Sequence, residues 1–229
     1  YHAGPHGYGW QKQGVGIPTT TGTLVHDPLA IVLAEVQWTD AIPDDTFVYA
    51  AIQQAVAAYQ AIIETRGLTV LMEPADLAGR VREQTTLIEG LVWTWVKGVL
   101  PQFHADWRIV AVEQEEVTVL GCTCGLGDQI GTAAEHDARN CDGIGWMTRG
   151  DIVTESRQSP GSYAYHEFKT TADASMNWEA QWAHKVQLVA GVVGIEARLG
   201  IRVDAVYVHA LIKGKFQATW VAGEGAKGP

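Results

Sequence analysis

The sequence predicts an α/β fold, a mixed central β-sheet flanked by helices. Three observations lead to it: long stretches with helical apolar spacing come first, three β-branched segments follow as a meander, and another helix and strand come after. The chain has 229 residues, and at roughly 100–200 residues per domain it reads as one domain over 1–229. Hydrophobic residues make up 47% and charged residues 18%, which permits a packed core and excludes wholesale disorder.

Residues 1–22 are rich in Gly, His, Pro and Thr and read as an irregular leading segment. Asp44 and Asp45 suit the cap of a helix with an apolar stripe of Ala51, Ile52, Ala55, Val56, Tyr59, Ile62 and Ile63, ending at Gly67. A second helix starts near Asp76, presents Leu77, Val81, Ile88, Leu91, Val92, Trp95, Val96 and Val99, and stops at Pro101. Trp107–Leu120 is a strand. Gly121–Gly145 has no periodicity and forms a Cys- and Gly-rich insertion, at about 121–145, within a hairpin. Trp146–Glu155 and Ser162–Thr170 are the next strands, joined by the turn Arg157–Gly161. Trp178–Leu199 is a helix closed by Gly200. Ile201–Leu211 alternates as a strand, and a hairpin around Gly214 leads to a last one.

The net charge of −10 is uneven: residues 1–145 hold 7 Lys/Arg against 18 Asp/Glu, and residues 146–229 hold 9 against 8. Such a chain is a poor coat for nucleic acid, because non-specific binding draws on many cations. Local phosphate binding with the help of metal ions remains compatible. Three Cys, two of them in Cys-x-Cys, make a poor disulfide framework and point to a reducing cytoplasm. Lys97 and Lys185 interrupt the most apolar helical stretches, and Tyr1–Gly16 has no signal-peptide pattern, so no membrane role is expected.

The chemistry concentrates in Tyr163–Lys169. Side chains two apart on a strand share a face, so Glu167 and Lys169 point together while Phe168 points into the core. Asp151 stands on the neighbouring strand of the same hairpin. Two carboxylates from adjacent strands beside an ammonium can hold a divalent ion and a water, as phosphodiester hydrolysis requires.

These residues resemble the PD-(D/E)XK nuclease signature: Asp151, then sixteen residues later Glu167-x-Lys169. Gly22-Thr23-Leu24-Val25-His26 is similar to the G-T-x-x-H helix of the RecB-type and phage-type exonuclease branch, and Gln187 falls where that branch carries Gln-x-x-x-Tyr. The Tyr is missing, with Ala190 and Gly191 in its place. The match in order and spacing runs from residue 22 to about residue 215. It implies a restriction-endonuclease-like fold and a metal-dependent DNA exonuclease acting in recombination, repair or phage DNA processing. It also implies His26, Asp151, Glu167 and the Phe168 backbone carbonyl as ligands of Mg²⁺ or Mn²⁺, Lys169 as the catalytic lysine and Gln187 as a substrate contact. The partners would be duplex ends or single strands of DNA, with further copies of the chain or a recombination protein. The alternative is a nuclease fold without turnover, serving as a DNA-end-binding or assembly module.

Other candidates carry competing readings. A lone His such as His26 is more often a packing residue, and only its place in the motif series reverses that. Glu113, Glu115 and Glu116 read as a solvated strand edge, the alternative being that one of them lies near a second metal position. His166 shares the Phe168 face and reads as structural. Cys122, Cys124, His136 and Cys141 have the ligand chemistry of a structural zinc site but a spacing that fits no strong signature. Their placement excludes the four-cysteine iron–sulphur cluster of some RecB-type nucleases. Trp178 and Trp182, one turn apart, read as core packing, whereas Trp146, Tyr163 and Tyr165 border the expected cleft, where such rings would serve a nuclease for stacking unpaired bases.

Overall fold

The computed structural model describes residues 17–65, 74–120, 144–172 and 185–213, with positions 178, 180 and 182. Four helices come first: α1 (Ile17–Thr39), α2 (Asp45–Thr65), α3 (Pro74–Gly98) and α4 (Leu100–Asp106). Strands β1 (Trp107–Leu120), β2 (Ile144–Ser156) and β3 (Tyr163–Thr171) follow, then α5 (Val186–Leu199) and β4 (Val203–Ile212). The four strands form one mixed sheet in the order β1-β2-β3-β4, antiparallel except for the parallel β3–β4 pair. Parallel neighbours need a crossover, and α5 lies on the connection. The protein is thus mixed α/β, with a four-stranded sheet flanked by helices.

The sheet has a packed cluster on each face. Ile152, Phe168 and Leu211 join Leu24, Leu29, Val32, Leu33, Ile52, Ile88 and Trp95 from the first helices. Val153, Tyr165 and Ala111 join Leu188 and Ile195 of α5. Adjacent residues Ile152 and Val153 thus serve opposite faces, as strand alternation demands. Asp44 caps α2 as expected, its Oδ1 accepting the Phe47 N–H at 2.9 Å. Among the described helices, α2 alone is long and apolar enough to cross a membrane, which the charge pattern did not flag. One face of it, Val48, Ala51, Ile52, Ala55, Tyr59 and Ile63, is buried against the other helices.

Four expectations about elements change. Residues 17–22 already belong to α1 rather than to an irregular segment. Pro101 starts α4 instead of only stopping α3; Pro suits a first helical turn, where its missing N–H would have had no partner. The helix expected over Trp178–Leu199 is helical at Trp178 and Ala180 but interrupted at Lys185, which is extended (φ −75°, ψ 115°), so α5 begins at Val186. No Gly, Pro or capping side chain in the sequence marks that break. Gly200 closes α5 in the left-handed conformation (φ 64°), as anticipated. The strand expected over Ile201–Leu211 runs instead from Val203 to Ile212. The 121–145 insertion up to residue 143, the helix end at Gly67 and the hairpin around Gly214 lie outside the described residues.

Candidate metal centre

The centre forms where two adjacent strands depart from regular geometry at the same level. In β1 the register slips between Ile109 and Ala111, a bulge at Val110. The Val110 carbonyl accepts a hydrogen bond from Gln37 Nε2 of α1 at 2.6 Å. Three residues on, Glu113 takes a left-handed conformation (φ 49°), which costs a non-glycine residue about 1–3 kcal/mol. Consecutive residues of a regular strand face opposite ways, yet Val112 and Glu113 line the same small pocket beside His26, Leu29, Ala30 and Leu33 of α1. The positive φ turns Glu113 toward the helix.

Across the sheet, Val112 pairs with Ile152 and Gln114 with Gly150, which sets Glu113 opposite Asp151. Continuing the β2–β3 register would set Asp151 against Glu167, but the paired residues end at Ile152 and His166. Instead the Asp151 carboxylate accepts the Phe168 N–H at 2.6 Å through Oδ2. Its other oxygen, Oδ1, lies 3.4 Å from His26 Nδ1. One ligand atom each from His26, Glu113 and Asp151 fall within 4.8 Å of one another. Neighbouring and opposite ligands of an octahedral ion at ~2.1 Å stand about 3 and 4.2 Å apart, so small side-chain adjustments bring the three onto one cation. One imidazole and two carboxylates suit Mn²⁺, and Mg²⁺ where waters fill the other positions.

Glu167 is adjacent but differently engaged. Its carboxylate is buried (1% exposed) and accepts hydrogen bonds from the Tyr165 hydroxyl on one oxygen and the Lys169 ammonium on the other. Burial is the main force raising its pKa above the ordinary carboxylate value; repulsion from Asp151 adds to it, and Lys169 and Tyr165 work against it. Burial and the neighbouring Glu167 charge likewise keep the Tyr165 hydroxyl protonated far into the alkaline range. Gly150 makes room for the Tyr165 ring: a Cβ there would fall 3.1 Å from Tyr165 Cε2 and 2.8 Å from Ile195 Cδ1.

On the same face of the sheet as Phe168, His166 is bonded to Thr154 Oγ1 at 2.8 Å through Nε2 and to His209 Nε2 at 3.0 Å through Nδ1. Its ring stacks on Tyr207, and His209 stacks on Phe168. Burial depresses His166 to about 3 and His209 to about 4, so both stay neutral within the packed face of the sheet.

Of the residues singled out in the sequence, His26 and Asp151 come together, while Glu167 and Lys169 pair beside them. Phe168 packs its ring in the core and gives its N–H to Asp151. Gln187 lies in the first turn of α5. Glu113, read first as a solvated edge residue, is instead half-buried in the centre. Its signal in the sequence was weak, since three nearby glutamates on one strand give no basis for choosing among them. Tyr165 as the partner of Glu167 was legible only from their two-residue spacing. The side chains of Glu115 and Glu116, and all of Cys122, Cys124, His136 and Cys141, lie outside the described residues. No protein-family model matches the chain, and neither does any curated protein.

Proposed function

We propose that the chain is a metal-dependent deoxyribonuclease of the PD-(D/E)XK type, with a restriction-endonuclease-like fold. The observation that carries this reading is the convergence of His26, Glu113 and Asp151 within 4.8 Å beside the buried Glu167–Lys169 pair. Supporting it are the order of elements and the resemblance of the Gly22–His26, Asp151 and Glu167-x-Lys169 motifs. In this reading Mg²⁺ or Mn²⁺ is held by His26, Glu113 and Asp151, with the Phe168 carbonyl and Glu167 completing the set. When bound, the metal supplies charge for the scissile phosphate and lowers the pKa of a water. Lys169 orients that water and offsets the charge that develops on the phosphate. Tyr165 holds the Glu167 carboxylate on the side away from bulk solvent, and Gln187 contacts the substrate.

A second reading, a nuclease fold that binds DNA ends without turnover, is favoured by one feature: both Glu167 oxygens are already engaged by Tyr165 and Lys169. Incubating plasmid, linear duplex and single-stranded DNA with Mg²⁺, Mn²⁺ or EDTA separates the two. The nuclease reading expects metal-dependent cleavage that Lys169→Ala and Asp151→Ala both abolish in folded protein. Turnover at the wild-type rate in either variant would remove the mechanism, and DNA binding without cleavage would favour the second reading.

A further inference from the structure

The Lys169 ammonium stands 5.9 Å from the centre of the Trp182 ring, and the Lys185 ammonium stands 5.6 Å from the same ring. Trp182 is half-buried. It packs against the Tyr165, Leu188 and Ile195 cluster and meets Trp178 edge-on at 5.4 Å. Its indole N–H is shielded from solvent and has no acceptor among the described residues. Lys185 is exposed, precedes the first turn of α5, and forms no ion pair among the described residues. Lys169 is balanced by Glu167, so among the described residues Lys185 is the cation at this indole that no carboxylate offsets.

We propose that Trp182 and Lys185 form the platform that receives a single-stranded DNA end next to the metal centre. The proposal rests on the nuclease reading and extends it to the form of substrate. An aromatic face accepts any unpaired base, and each stacked base contributes about 1–3 kcal/mol. A cation beside that face holds the phosphodiester of the stacked nucleotide, while Lys169, at the same ring, faces the phosphate to be cut. The pairing of ring and cation also fits the overall charge. A chain of net charge −10 repels DNA at long range, so attraction has to be local and reinforced by stacking. Blunt duplex, whose bases are paired and covered, gains nothing from the indole.

The test is fluorescence anisotropy with a short fluorescein-labelled oligothymidylate and, separately, a blunt duplex, using the full chain in Ca²⁺ to hold substrate without cleavage. Lys185→Ala is expected to weaken single-strand binding several-fold, to lower the salt slope by about 0.7, and to leave Mn²⁺ affinity unchanged. Trp182→Leu keeps apolar packing and is expected to lose about fivefold or more on the single strand, with little change on the duplex. Should that variant unfold by circular dichroism, Lys185→Ala decides the matter, since its side chain is on the surface. Wild-type affinity and salt slope in Lys185→Ala, or equal losses on both DNAs in folded Trp182→Leu, would overturn the platform and leave the nuclease reading standing. Wild-type protein that binds neither DNA would overturn both.

Discussion

Replacing Glu167 by Gln is expected to stabilise the metal-free protein at neutral pH. The carboxylate is 1% exposed and close enough to Asp151 for their charges to repel; burial and that repulsion raise its pKa despite the opposing Lys169 and Tyr165. A carboxylate whose folded pKa lies above its unfolded value of 4.5 favours folding fully below the unfolded value and loses that contribution as pH rises through the folded one. At pH 7 the charge therefore opposes folding. Gln keeps the shape and can still accept from Lys169, which at 23% side-chain exposure also reaches water. Relieving strain stored at a functional site commonly yields about 0.5–2 kcal/mol. For a chain of this size each 1 kcal/mol shifts Tm by roughly 2–4 °C. Thermal unfolding in EDTA, followed by circular dichroism, should give the variant a Tm roughly 1–8 °C above wild type at pH 7, with the gap narrowing toward pH 5. The difference between the two proteins is the quantity to read, because His166 and His209 contribute equally to both. A variant less stable than wild type in EDTA at pH 7 would refute the reasoning.

Two further outcomes follow from the same packing. His166 and His209 are held neutral by burial, at about 3 and about 4, so their contribution to stability is full above pH 6.5 and falls away as pH drops toward those values. His166→Gln, which can still hydrogen-bond Thr154 and cannot titrate, should flatten the loss of Tm between pH 7 and pH 4, and an unchanged pH profile would contradict this. Gly150→Ala should lower stability by about 1–3 kcal/mol in denaturant unfolding, because its Cβ would fall on the Tyr165 ring and Ile195. A neutral outcome would mean that the Tyr165 slot is looser than its contacts indicate.

Much of the fold was legible because its signals are periodic. Strand β1 runs from Trp107 to Leu120 as its β-branched run indicates, and Asp44 caps α2 as its chemistry suggests. Pairing of Glu167 with Lys169, and burial of Phe168 between them, follow from the two-residue period alone. What alternation could not supply was the centre's third side chain. Glu113 reaches His26 and Asp151 through a positive φ, three residues after a bulge. Both devices break the period from which side-chain direction is read, and no Gly or Asn marks the left-handed position. The break before α5 was hidden for the opposite reason, since the helical spacing runs on through Lys185 while Lys185 itself is extended.

Cation binding is the point on which the functional account turns, and Mn²⁺ titration monitored by electron paramagnetic resonance tests it directly. One Mn²⁺ per chain is expected, with affinity reduced about tenfold or more by His26→Ala and by Glu113→Gln. Wild-type protein that takes up no Mn²⁺, or variants that bind it as tightly as wild type, would contradict the account.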